Sequence, residues 1–159
     1  MKLDRVLREL HRAERSLARD LQRTAELHRT EHEVHHVALD LACWSRDHVR
    51  EIAHAGRDHG LRLDEDVSTG GALSQVRKVL GELTGRRPEP GLLLLADLRR
   101  LHRKAAGVSL DWELLAQGAQ AVKDTDLLDL ASRCHAQTLR QLKWTNAMLK
   151  GLSPQVLAS

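Results

Sequence analysis

Apolar residues recur along this chain in alternating steps of three and four, the period of an amphipathic helix whose stripe faces a bundle core. The first stripe reads Leu3, Leu7, Leu10, Glu14, Leu17, Leu21, Thr24, His28 and predicts a helix over Leu3 to His28. The second reads Val34, Ala38, Leu41, Ser45, His48, Ile52, Ala55, His59 and predicts a helix that begins near Glu31 and ends by Gly60. So short a connection makes the pair an antiparallel hairpin. Residues 61–90 then change character. Asp64 to Gly71 reads as a loop, Ala72 to Leu83 as a short helix, and Gly85 to Gly91 as a second break. A third helix starts after Pro90 and reaches Lys123, with Ala105-Ala106-Gly107 as the place where it thins or bends. A fourth runs from Asp126 to Lys150, capped by Asp124, Thr125 or Asp126 and ended by Gly151 and Pro154.

The expectation is therefore an all-α single domain over 1–159. It is an antiparallel four-helix bundle of hairpin 2–60, long crossover 61–90 carrying a short extra helix, and hairpin 91–151, in up-down-down-up order. Composition reinforces this. The chain has no Phe and no Tyr, so a sheet would lack its best strand formers, and Trp44, Trp112 and Trp144 are the only aromatics. Leu92 to Leu95 sweep a whole helix circumference and cannot all face one core. At least one of them is expected to meet the crossover or a partner chain, the second being the case in a homo-oligomer such as a dimer.

Charge narrows the partners. The formal net charge is +3, yet residues 1–60 carry 11 charges of each sign. The excess lies after Asp129, as Arg133, Arg140, Lys143 and Lys150. That is a mildly basic helix face with sparse charges and Trp144 as its only nearby aromatic, so no nucleic-acid partner is expected. The longest apolar run, Leu92 to Ala96, is far short of a membrane span, and residues 1–20 contain no signal-peptide core. Cys43 and Cys134 are too sparse for a disulfide scaffold and read as buried free thiols. A cytoplasmic protein is the expectation.

Three places hold candidate chemistry. Glu14 fills a seam slot where Leu is the usual occupant, and a buried carboxylate needs a partner. Positions 14 and 48 lie equally far from a turn centred near residue 31, so His48, also on a seam, is expected to face Glu14. The pair reads either as a metal or proton-transfer site or as a hydrogen bond that satisfies both groups. Glu113 lies beside Trp112 on a face with His102, Ala106, Ser109 and Ala116. The second hairpin turns near residue 125 and sets His135 to Thr138 opposite it. Finally, His28, His32, His35 and His36 cluster with Glu31 and Glu33 around the first turn. There His32 and His36, at i and i+4, have a two-ligand spacing; the competing reading is a solvated turn. Phosphate loops, Cys-x-x-Cys pairs and recognisable serine nucleophile contexts are absent.

The segment Glu9-Leu10-His11-Arg12-Ala13-Glu14-Arg15-Ser16-Leu17, with His48-Val49-Arg50-Glu51-Ile52 and Asp111-Trp112-Glu113-Leu114-Leu115-Ala116, resembles the ferritin-like superfamily, in particular its bacterial stress-induced YciF-type branch. The resemblance covers about 2–60 and 92–150. It implies that Glu14, His48 and Glu113 match metal-ligand positions. A ferritin-like di-iron site draws a Glu from each of two helices and Glu-x-x-His from each of the others. Here Ser45 stands three residues before His48, and the fourth helix has no acid after Asp129. Two acids are too few to balance two irons, so a degenerate, non-catalytic bundle without cofactor is expected, acting as a stress or interaction protein. The alternative is a single iron, manganese or zinc ion held by Glu14, His48 and Glu113, with His135 as a fourth ligand, in an oxidoreductase or metal-storage relative.

Overall fold

The computed structural model describes residues 2–68 and 89–159. They form four helices: α1 (Lys2–Leu27), α2 (His32–Asp58), α3 (Pro90–Ala121) and α4 (Thr125–Leu157). There is no strand among the described residues. The expected short helix at Ala72 to Leu83 lies outside them.

The helix ends follow from local chemistry. At the end of α2, Gly60 takes φ 73, and the Leu61 N–H reaches back to the Gly56 carbonyl at 2.8 Å. That left-handed turn is open to glycine at no steric cost and satisfies an orphan carbonyl of the last turn. Pro90 opens α3 at its first turn, where its missing N–H has no helical acceptor anyway. Asp124 caps α4 by accepting from the Leu127 N–H at 3.0 Å.

The fourth helix corrects the expected stop. It continues through Gly151 and Pro154 to Leu157. Proline forfeits one backbone bond and strains one turn. Packing outweighs that here: Met148, Leu149 and Leu152 cover the small cluster of Val34, Leu94 and Leu98, and Val156 presses so closely on Gly91 that a Cβ there would lie 3.0 Å from its methyls. The tail of α4 is therefore held by the start of α3. Leu94 and Leu95 are buried within the chain, and Leu92 stays half-exposed.

The main core runs the length of the helices. Leu7, Leu10, Leu17 and Leu21 of α1 meet Ala42 and Ile52 of α2, and Leu101, Ala105, Val108, Trp112, Leu115 and Ala119 of α3. Of the two thiols, Cys134 is buried, but Cys43 is exposed, because it follows the inward pair Leu41 and Ala42 on the turn that faces solvent. Along α1 and α2, partner numbers rise as they fall: Ala25 with His35, Gln22 with Arg46, Glu14 with His48, and Asp4 with His59. The α1–α3 contact shows the same order, from Arg23 with Asp97, through Lys104 with Asp20, to Trp112 with Glu14. No helix among the described residues is long and apolar enough to cross a membrane.

Candidate functional site

Four helices meet at one buried polar layer. Glu14 is fully buried and His48 is 1% exposed. The His48 Nδ1–H donates to Glu14 Oε1 at 2.9 Å, and the indole Nε1–H of Trp112 donates to the same oxygen, also at 2.9 Å. On its other side His48 Nε2 faces Gln137 Oε1 at 2.6 Å. One turn further, Gln141 Nε2 donates to Ser45 Oγ at 2.9 Å and to the Leu41 carbonyl at 3.1 Å. The layer thus takes Glu14 from α1, Ser45 and His48 from α2, Trp112 from α3, and Gln137 and Gln141 from α4.

The protonation state of His48 follows from these partners. With the Gln137 oxygen turned to Nε2, both ring nitrogens face acceptors, an arrangement that favours the doubly protonated imidazolium. Burial lowers its pKa, but the nearby Cys134 sulfur, the hydrogen bond to Glu14 and the charge on Glu14 outweigh that and push it up to about 11. Cys134, next to the layer on α4, is driven the other way. Burial raises its thiol above the usual range, so it stands as a neutral donor, 3.5 Å from Glu51 Oε2. Neither group is a free base or a nucleophile at neutral pH.

A pH dependence of stability results. The folded chain keeps the His48 proton up to about 11, whereas the unfolded chain releases it near 6.5. The stabilisation is complete below the lower value and is lost progressively as pH rises through the upper one. Thermal melts across this window should show the melting temperature falling with pH, and His48→Gln should flatten that fall. An unchanged slope in the variant would assign the dependence to other groups.

The remaining sequence candidates go elsewhere. Glu113 is not in the core. Its side chain is 55% exposed, and its carboxylate lies 3.7 Å from His135 Nδ1 on the outer edge of the α3–α4 contact. His135 turns its Nε2 to Ser109 Oγ at 2.9 Å. The inward stripe of α3 runs Leu101, Ala105, Val108, Trp112, Leu115, Ala119. It gives position 112 the core and swings position 113 about 100° away. The face holding His102, Ser109 and Glu113 is the flank toward α4, where His102 pairs with Thr145. The metal set of Glu14, His48, Glu113 and His135 is therefore split between two places.

The histidine cluster also divides. His28 is buried, with Nε2 2.7 Å from Asp97 Oδ2, and His35 binds the Ala25 carbonyl through Nδ1 at 2.8 Å. His32 and His36 are stacked with ring centroids 6.4 Å apart, outside the core. Among the described residues no group of three or more His, Cys, Asp or Glu is gathered to hold a metal ion. In the polar layer the donor set does not fit two irons, with one carboxylate, an imidazolium and neutral amides. Trp112 is the layer residue that sequence reasoning missed. The signal was present as the four-and-three spacing from Leu101 to Ala119, which selects 112 over 113.

No protein-family model, no curated protein and no solved structure matches this chain.

Proposed function

We propose that the chain is a degenerate, antiparallel ferritin-like bundle that works as a non-catalytic interaction protein, with its polar layer serving as a structural fastener. The observation that carries this reading is the engagement of both His48 ring nitrogens, by Glu14 and by Gln137. A metal ligand must present a bare nitrogen lone pair, and an imidazolium has none. The resemblance to a stress-induced branch of that superfamily supports the cellular role.

A single-metal reading has one observation in its favour: Glu14 Oε2 is buried and meets no hydrogen-bond donor among the described residues. It requires His48 to lose a proton and abandon one of its two partners. Incubating tag-free protein with ferrous iron, manganese or zinc, desalting it and counting metal per chain separates the two. The His32→Ala/His36→Ala background removes the stacked pair from that count. Well under one equivalent is expected. Retention of one metal per chain, abolished by Glu14→Ala, would establish the single-metal reading instead. Two irons per chain with turnover of oxygen would overturn both.

A further inference from the structure

We infer that the outward face of α1 is a binding site for a phosphate chain, the pyrophosphate or triphosphate unit of a small anion. The site is independent of the polar layer. Arg8, Arg12, Arg15 and Arg19 follow one another at steps of four, three and four, so their side chains leave one face of the helix. Eleven residues of helix place the first and last about 16 Å apart. The chain just after α2 closes over this stripe. Leu61 is buried, and His11, itself 6% exposed, donates from Nε2 to the Asp64 carbonyl at 2.7 Å. That bond pins the segment so that Arg62 lines the same groove as the four helix arginines, a cavity of about 300 Å³. This is the lower end of the size range of small-molecule sites.

The charge balance identifies the ligand class. Five arginines surround the groove, and among the described residues only two acids pair with them: Glu9 with Arg12 at 3.2 Å and Asp64 with Arg15 at 3.5 Å. Both pairs are on the surface and weak. Arg8, Arg19 and Arg62 have no carboxylate partner among the described residues, and the Arg15 Nε–H is buried without an acceptor. Residues 69–88 carry Arg77, Lys78, Arg86 and Arg87 against Glu82, so their composition offers no surplus of acid to neutralise the stripe.

Guanidinium forks match phosphate oxygens in shape and charge. One phosphate would reach only part of a line this long, whereas a chain of two or three spans more of it. Among the described residues Leu63 is the single apolar side chain of the groove, and no tryptophan is there to stack a base. The recognised unit is therefore the phosphate chain itself, not a nucleobase. A second basic groove, along Arg99, Arg100, Arg103 and Lys104, differs in kind, because Asp97 and Asp20 already hold Arg100 and Lys104 at 3.0 and 2.6 Å.

The test is calorimetry or fluorescence titration of the full chain at low ionic strength with inorganic tripolyphosphate, ATP, AMP, orthophosphate and a single-stranded oligonucleotide. Tripolyphosphate and ATP should bind with similar affinity, AMP and orthophosphate about tenfold or more weakly, and added salt should weaken binding. Arg8→Gln/Arg19→Gln/Arg62→Gln, all surface changes, should lose about tenfold or more in tripolyphosphate affinity with an unchanged circular dichroism spectrum. Three results would overturn the inference: no tripolyphosphate binding at low salt, undiminished binding by the triple variant, or oligonucleotide binding tighter than tripolyphosphate. If the variant does not fold, the wild-type ligand series alone still decides.

Discussion

Glu14→Ala lowers the unfolding free energy by about 3–5 kcal/mol, the usual cost of removing one partner from a buried charged pair. The reason is what it leaves behind. His48 Nδ1–H and Trp112 Nε1–H both donate to the one oxygen that the substitution deletes. Neither has water to turn to, since His48 is 1% exposed and Trp112 is fully buried. The double variant Glu14→Leu/His48→Leu should recover most of the loss, because apolar side chains of similar volume need no partner. It still leaves Trp112 and Gln137 without their layer partners, so recovery is incomplete. Urea denaturation of the three proteins measures this. A Glu14→Ala cost below about 1 kcal/mol would mean the pair contributes no more than a surface contact.

Trp112→Ala should cost a similar amount, about 3–5 kcal/mol, from the cavity it opens in the middle of the core. The indole stands edge-on to the His48 ring, with centroids 5.8 Å apart, and belongs to the core cluster that also holds Leu10, Val108, Leu115 and Cys134. Trp112→Phe separates packing from hydrogen bonding. It keeps most of the apolar volume and removes the donor to Glu14, so about 1–2 kcal/mol is expected. Equal losses for Ala and Phe would mean that the hydrogen bond, and not the packing, carries the residue's whole effect.

The Glu14–His48 pair was legible in the sequence because two regularities fix it. A seam period places each residue inward, and a short turn sets their depth. The same arithmetic sets the level of the α3–α4 contacts but not which side of α3 faces inward, since Glu113 and Trp112 are neighbours at nearly the same depth. Only the full run from Leu101 to Ala119 settles that, and it buries the tryptophan. The run of α4 past Pro154 was illegible for a different reason. Proline is a local signal, and the contacts that override it, Val156 on Gly91 and Leu152 near Leu94, join residues far apart in sequence. The arginine groove was hidden by counting. Residues 1–60 are neutral as a sum, but four of their arginines share one face of α1.

The polar bonds between α2 and α4 also act as a vernier. Leucine layers look alike every seven residues, so two such helices can slide by a heptad and still bury apolar surface. Here a slide of α4 by seven residues in either direction would set Leu130 or Trp144 where Gln137 meets His48, and Cys134 or Met148 where Gln141 meets Ser45. Each alternative strands the imidazolium beside groups that accept a hydrogen bond poorly or not at all. One alignment of the four helices is thereby singled out from its near-equals, and the discrimination comes from groups that contribute little to the total apolar burial.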